Sequence, residues 1–121
     1  MKVFKDDSPI YLQLRAYIEE AILTQALKEN ESLPSLRVMA KEYNLNPITI
    51  SNAINMLEDE GILFKKRGIG IFVQENARSI IISKKGSEFL KEELALGIKK
   101  AKLLEIPKKN VVNLVNEIYG E

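Results

Sequence analysis

The side chains best suited to chemistry in this chain lie in three groups between residues 33 and 73. The groups are LPSLR at 33–37, LNPITISNAINMLEDEGIL at 45–63 and KKRGIGIFV at 65–73. They combine hydroxyls, amides, cations and glycines, which bind phosphates and base edges through hydrogen bonds and charge. The pattern therefore predicts recognition of double-stranded DNA rather than bond-breaking catalysis.

Enzymatic alternatives lack their usual residues. The 121 residues include no cysteine and no histidine. This excludes disulfides and thiolate metal sites, and it removes the commonest general base and the commonest metal ligand. We therefore predict no catalytic residue, no metal site and no cofactor. A small enzyme built on carboxylates or lysine has no support in the sequence.

The length and charge of the chain set further bounds. A chain of 121 residues accommodates one domain of modest core plus an appendage. The net charge is only +1, so any electropositive surface must be local, and Lys65-Lys66-Arg67 is the obvious place. The start of the chain, MKVFKDDSPIY, has no apolar secretion signal, and no stretch is apolar enough to span a membrane. A cytoplasmic protein without membrane association is the expectation.

Capping residues and apolar periodicity predict two helices before residue 45. Ser8 and Pro9 are typical of an N-cap and a first helical position. A second, shorter helix is predicted to start at Ser35 and to end at Asn44. The inward-facing residues of these two helices are Tyr11, Leu14, Ile18 and Ile22, and then Leu36, Met39, Ala40 and Tyr43.

A third helix and a hairpin follow. Asn46 and Pro47 are typical of an N-cap and first helical position, and Gly61 suits the left-handed residue after a helix. The inward-facing residues of this helix are Ile50, Ala53, Ile54 and Leu57. Apolar residues on both sides of 65–70 predict a β-hairpin with glycines at its turn. Helix, turn, helix and hairpin in this order predict a winged helix-turn-helix.

The outward face of the third helix carries Ile48, Ser51, Asn52 and Asn55. Such a short, uncharged face can enter a major groove. There Asn52 can pair with adenine, Ser51 can bond to a base edge and Ile48 can touch a thymine methyl. The alternative is an ordinary solvated helix face.

Cationic and backbone groups flank this face. Arg37 is placed to reach a phosphate or base edge, with a surface ion pair to Glu42 as the alternative. Thr49 and the first backbone N–H groups of the third helix suit phosphate. In the hairpin, Arg67 can enter a narrow minor groove, where the neighbouring glycines let the backbone approach closely. The alternative is a solvated charge run.

Residues 74–121 show a different pattern, in which a connector is followed by amphipathic helices. QENARS at 74–79 predicts a polar connector, and Ile80-Ile81-Ile82 a brief apolar patch. An amphipathic helix is predicted from about Ser87 to Glu105, with Pro107 ending it and a last helix following. We predict two domains, a DNA-binding domain at 1–76 and a helical segment at 77–121. The apolar stripes of the two C-terminal helices are Leu90, Leu94, Ile98, Ala101 and Leu104, and then Val111, Leu114, Val115 and Ile118.

Residues 9–73 resemble the GntR family of bacterial transcription regulators, and the two short helices predicted after them resemble those of its YtrA-like subgroup. The agreement of many fixed spacings makes the resemblance specific. The matching motifs are Pro9-Ile10-Tyr11, Leu33-Pro34-Ser35-Leu36-Arg37, Leu45-Asn46-Pro47, Thr49-Ile50, Glu60-Gly61-Ile62 and Gly68-Ile69-Gly70-Ile71-Phe72-Val73.

The resemblance implies a mainly α-helical protein with a small β-hairpin that binds operator DNA as a homodimer, most simply as a repressor at a palindromic site. Pro47 stands where many members carry a base-reading arginine, Ile48 where asparagine or threonine is usual, and Ile71 replaces the usual wing threonine. Apolar contact is therefore what remains for Pro47 and Ile48. Together, the residues and the resemblance nominate a DNA contact set of Ser35, Arg37, Asn46, Pro47, Ile48, Thr49, Ser51, Asn52, Lys66, Arg67, Gly68 and Gly70.

The two C-terminal stripes are predicted to pack against a second copy of the chain. The alternative is packing onto the chain's own first helix. A small-molecule effector between the C-terminal helices is compatible with the sequence, but no residue names one. The competing function is a winged-helix protein-interaction module that does not bind DNA.

Overall fold

The computed structural model describes residues 8–120. The N-terminal residues on which the argument against a secretion signal partly rests lie outside this range. The described elements are α1 (Ile10–Leu23), α2 (Leu36–Tyr43), α3 (Pro47–Asp59), β1 (Leu63–Lys66), β2 (Gly70–Val73), α4 (Ala77–Phe89), a π-helical segment (Leu90–Leu94), α5 (Ala95–Leu103) and α6 (Lys108–Tyr119). The mainly α-helical fold class with a small β-hairpin, and the order of a winged helix-turn-helix, are therefore confirmed.

The first helix begins one residue later than predicted. Pro9 is the N-cap of α1 and Ile10 its first residue, with no side chain capping the helix. The backbone carbonyl of Pro9 instead accepts from the N–H groups of Leu12 and Gln13, at 3.1 and 3.2 Å. The predicted N-cap role of Ser8 is therefore wrong.

One hydrophobic core joins α1, α2, α3, the hairpin and the start of α4. The predicted inward faces of α1 and α3 are confirmed by Leu14, Ile18 and Ile22 and by the four buried residues of α3. In α2 only Met39 is fully buried, and Tyr43 packs partly buried against the edge of Tyr17, with ring centroids 5.9 Å apart. Burial there raises the pKa of Tyr43, and the neighbouring Tyr17 and Glu42 raise it further.

A partly buried ion pair fixes the end of α3 against α1. A terminal nitrogen of Arg15 lies 2.6 Å from Oε1 of Glu60, and its Nε lies 3.4 Å from Oε2 of Glu19. Glu60 is the C-cap of α3, and Gly61 follows with φ of +77°. The glycine predicted to end this helix is therefore confirmed in the left-handed conformation that suits it.

The two strands of the hairpin pair antiparallel, with Leu63 opposite Val73 and Lys66 opposite Gly70. Ser32 adds a bridge to Phe72 on the outer side of β2. Backbone bonds from Leu33 N to Ile71 O and from Val73 N to Glu31 O, at 2.8 and 2.9 Å, attach the segment before α2 to the same strand. The hairpin is thus paired along both edges of β2.

The polar connector predicted at 74–79 is wrong in part, because α4 begins at Ala77 rather than near Ser87. Ala77 and Ile81 are four residues apart and both are buried, so the start of α4 packs into the hydrophobic core described above. The Nε of Arg78 donates to the carbonyl of Leu23 at 3.0 Å and ties the same turn to the end of α1.

Contacts divide the chain into two compact units, the winged unit, which ends at Ile82, and the second unit, which begins at Ser83. The helix predicted from Ser87 to Glu105 is not uniformly α-helical, because Leu90–Leu94 form a wider π turn between α4 and α5. It also ends at Leu103, with Glu105 in a left-handed turn before α6. Among residues 8–120, no helix combines the length and hydropathy that a bilayer span requires.

Candidate nucleic-acid interface

The start of α2 presents a cap and a cation side by side. The Oγ of Ser35 accepts a hydrogen bond from the backbone N–H of Val38 at 3.2 Å, so Ser35 is the N-cap of this helix. This leaves the hydroxyl proton of Ser35 free to donate outward. Arg37 is exposed in the first turn, and within residues 8–120 it forms no ion pair, including the alternative pair with Glu42. Both groups therefore remain available to an external anion.

The turn between α2 and α3 is built by two asparagines. Asn44 closes α2 in the left-handed conformation, with φ of 55°. The Oδ1 of Asn46 then accepts from the N–H of Ile48 at 2.8 Å, and Pro47 occupies the first position of α3. The predicted start of the third helix is confirmed. The capping bond uses the carbonyl oxygen of Asn46, so its amide N–H groups remain as donors.

The outward side of α3 has the small polar surface that the sequence predicts. Pro47, Ile48 and Asn52 are exposed, and Thr49 and Ser51 are partly exposed. The opposite side is fixed by the buried residues of the core, which prevents rotation of the helix about its axis. This surface therefore has one orientation relative to the rest of the winged unit.

The three cations of the hairpin differ in their contacts with other side chains. Lys65 reaches back to α3, where its Nζ donates to Oδ1 of Asn55 at 2.9 Å and lies 3.3 Å from Oε1 of Glu58. Lys66 lies over an aromatic pair, with its Nζ 5.0 Å from the Phe72 ring centroid and 5.9 Å from that of Phe64. Arg67 has no ion pair with a described residue.

The tip of the hairpin is the loop of Arg67, Gly68 and Ile69. Gly68 has φ of +76°, and a Cβ placed on it would meet nothing within 4 Å, so its surroundings are open. Gly70 has φ of +151° and pairs with Lys66 at the end of the ladder. The glycines therefore set the shape of the turn and keep its outer side open to close approach.

The candidate reading surface thus consists of three parts of the chain, the starts of α2 and α3 and the hairpin tip, and the hairpin is tied to α3 through Lys65. They carry the residues nominated from the sequence and, in addition, two features that sequence reasoning missed. One is the Lys65 contact with Asn55 and Glu58. The other is Ile69, an exposed isoleucine at the tip, whose position between two glycines was the available signal. No group of acidic side chains among residues 8–120 is arranged to hold a metal ion.

A capped helix pair followed by a glycine-tipped hairpin, with its polar surface directed outward, defines the class of winged helix-turn-helix transcriptional regulators. Comparison with known proteins agrees. The profile of the bacterial regulatory proteins of the gntR family matches residues 10–73. The chain belongs to the gntR family, whose members are regulators and not enzymes.

Three further matches extend beyond the winged unit. The chain is 36% identical over 90 residues to the transcriptional repressor YtrA of Bacillus subtilis, across 74% of this chain and 68% of the relative. A GntR family regulator from Listeria monocytogenes has a similar structure, with a TM-score of 0.75 and 30% identity, covering 94% of this chain and 98% of that one. YtrA from Sulfolobus acidocaldarius, a GntR-family transcription factor, gives a TM-score of 0.56 at 28% identity over 99% and 97% of the two chains. The YtrA-like subgroup inferred from the sequence is confirmed.

The second unit has no apolar interior of its own. None of the described residues 83–120 is buried, and only Ala95, Ala101 and Val111 are even partly covered. Seven residues of the predicted stripes are exposed, by at least 40% each: Leu90, Leu94, Ile98, Leu104, Leu114, Val115 and Ile118. The apolar side chains of this unit are therefore left largely uncovered by its own chain.

Proposed function

We propose that this protein is a transcriptional repressor that binds a palindromic DNA operator as a homodimer. The outward surface of α3 enters the major groove, and the hairpin tip lies against the adjacent minor groove. The observation that carries the proposal is the small polar outward face of α3, in a chain whose second and third helices both start with a side-chain cap and whose Arg37 and Arg67 have no described ion pair.

Within this site the residues divide by the part of DNA that they contact. Phosphates bind to Ser35 and to the hydroxyl and backbone N–H of Thr49, because helix N-termini attract anions and the N–H of Ile48 is already used by the Asn46 cap. Base edges in the major groove are read by Ser51 and Asn52 and by apolar contact from Pro47 and Ile48.

Arg37 and the hairpin complete the grip on the duplex. Arg37 reaches a phosphate or a base edge next to α3, and Arg67 binds the wall of the minor groove. Gly68 and Gly70 let the backbone approach the sugar-phosphate chain closely. Lys66 stays over its aromatic pair and contributes positive potential to the phosphates beside the hairpin.

The homodimer rests on the second unit. Helices α5 and α6 touch each other but leave Leu94, Ile98 and Val115 substantially uncovered. A second copy covers these residues without any further chain, because a twofold interface is complementary to itself. Two reading surfaces related by a twofold axis then require two half-sites of inverted sequence, which is the basis of the palindrome.

Repression is supported by the name of the Bacillus subtilis relative, a transcriptional repressor. A dimer bound across a promoter blocks access to it without further chemistry, which suits a chain with no predicted catalytic residue. Operator binding also places the protein in the cytoplasm. A small-molecule effector remains compatible with this function, but no described residue defines its site.

The decisive test uses a duplex selected from a random-sequence pool by the wild-type protein. Arg37→Ala is expected to weaken binding to the selected duplex about tenfold to a hundredfold, since it removes a charge-assisted contact. The exposed Arg37 side chain has no ion pair with a described residue, so its removal should leave the fold unchanged. Circular dichroism checks that the variant is folded. Affinity within twofold of the wild type would remove Arg37 from the site.

A salt titration separates this function from a protein-interaction module. DNA binding is expected to fall steeply with added salt, because each neutralised phosphate releases a counterion. Failure of the wild-type protein to enrich any duplex would contradict DNA recognition altogether.

A further inference from the structure

Ile69 is the most exposed large apolar side chain described in the winged unit, at 72%. It stands at the tip of the hairpin, between two glycines. Such exposure costs roughly 1.5–3 kcal/mol relative to burial of an isoleucine. A single exposed isoleucine is ordinary on a protein surface, so its meaning depends on how the tip is built.

The tip is held rigidly. The N–H of Ile69 donates to the carbonyl of Lys66 at 2.9 Å, which closes the turn. The strand that follows is anchored by Ile71 and Val73, both buried, and the rings of Phe64 and Phe72 stack across the hairpin with centroids 5.6 Å apart. Ile69 therefore cannot fold back onto the core, and its side chain is presented outward in a fixed direction.

The neighbouring cations leave the tip itself apolar. Lys65 is held against α3, and Lys66 lies back over the aromatic pair. Only Arg67 is next to Ile69 without a described ion-pair partner. The outermost part of the hairpin thus combines one apolar side chain with one available guanidinium.

We propose that Ile69 is an apolar wedge that enters the minor groove of the operator and partly unstacks one base step. This proposal rests on the proposed DNA binding of the winged unit and deepens it. A wedge must be rigid and apolar, because it replaces base stacking with contact to sugars and base faces. Pyrimidine–purine steps unstack most easily, so the hairpin selects a flexible step at this place in each half-site.

The wedge and its neighbour differ in how they respond to salt. Arg67 binds phosphate and releases a counterion, so its contribution weakens as salt is added. Removal of the Ile69 side chain from water lowers the free energy of binding, and it releases no counterion. Substitutions at these two positions, which only Gly68 separates, are therefore matched probes of apolar and electrostatic contact within one loop.

The experiment compares Ile69→Ala, Ile69→Leu and Arg67→Ala with the wild type on the duplex selected by the wild-type protein. In half of the titrations the adenine of the base step under the tip is replaced by a fluorescent analogue whose emission rises on unstacking. Ile69→Ala is expected to weaken binding about tenfold, with an unchanged slope of log affinity against log salt and with loss of the emission increase. Ile69→Leu keeps the apolar bulk and is expected to retain both.

Arg67→Ala is expected to reduce the salt slope by about one while the emission increase persists. The wedge is overturned if Ile69→Ala binds within twofold of the wild type, changes the salt slope, or leaves the emission unchanged. If the wild-type protein binds that duplex and only the Ile69 results fail, DNA recognition stands and the wedge falls. If the wild-type protein enriches no duplex, both proposals fail together.

Discussion

The two compact units of this chain differ in where their apolar side chains lie. In the winged unit, residues such as Leu14, Ile50 and Leu57 are completely covered by their neighbours. In the second unit, none of the described residues 83–120 is buried, although its helices carry as clear an apolar pattern. Periodicity alone therefore does not tell whether an apolar face meets its own chain or another.

The difference separates two physical tasks. A unit with a complete core holds its surface in a fixed geometry, which recognition of a duplex requires. A helical pair without a core gains little stability alone, because short helices depend on packing of an apolar face. The role that we propose for it is association with a second copy, so mutations in the two units are expected to affect different measurements.

The largest effect on folding is expected in the core of the winged unit. Leu57→Ala removes a fully buried side chain and is expected to lower the free energy of unfolding by about 3 kcal/mol. Denaturant titration measures it. Ile48→Ala is the matched control in the same helix, and because its side chain is 69% exposed we expect a change below about 0.5 kcal/mol. Equal losses for both variants would contradict the assigned faces of α3.

The next prediction tests the second unit. Leu94→Glu places a charge on the predicted stripe and is expected to convert the proposed dimer to a monomer. Operator affinity is then expected to fall about a hundredfold, because two linked half-site contacts become independent. Sedimentation velocity reports the mass, and the unfolding of the winged unit should be unaffected. Leu103→Glu, at a side chain 83% exposed and outside the stripe, is the control. A dimer that survives Leu94→Glu and not Leu103→Glu would move the interface to another face.

A smaller effect is expected from the ion pair between α1 and the end of α3. Arg15→Ala leaves the partly buried Glu60 without its 2.6 Å partner and is expected to cost about 2 kcal/mol of unfolding free energy. The loss is expected to belong to the winged unit alone, so the mass of the protein in solution should equal that of the wild type. A thermal denaturation midpoint equal to that of the wild type would show that this pair contributes nothing.

The smallest effect is expected at the start of α3. Asn46→Ala removes the capping bond to the N–H of Ile48 and is expected to cost about 1 kcal/mol. Asn46→Ser retains a capping oxygen and should recover most of it. Chemical denaturation of the three proteins in parallel decides the matter, and an alanine variant as stable as the serine variant would refute the capping role.

The winged unit was predictable from sequence wherever the determinants are local. Asn46 with Pro47 predicts a helix start, and Gly61 predicts a helix end, because a helix terminus depends on the conformation of one or two residues. The faces of α1 and α3 were predictable for a related reason, since their buried residues recur at helical spacing. At Ser8 the local signal misled, because the carbonyl of Pro9 begins the helix without any side-chain cap.

The parts that were missed depend on contacts distant in sequence. The start of α4 is mixed in sequence, with Arg78 and Ser79 before the apolar patch, and the burial of Ala77 and Ile81 in the core is a contact that local sequence does not reveal. The π turn at Leu90–Leu94 has no sequence signature of its own. Within the site, Lys66 reads as a free cation in sequence, whereas the stacking of Phe64 on Phe72 gives it a place over two rings.

The most direct test of the account is protection mapping of the selected duplex by the wild-type protein and by Leu94→Glu. Two equal footprints related by a twofold axis, with centres about one helical turn or a multiple apart, are predicted for the wild type. The Leu94→Glu variant is predicted to protect one half-site at higher concentration. A single asymmetric footprint for the wild-type protein would contradict the central claim, which is that the winged unit binds DNA and that the second unit joins two copies of the chain.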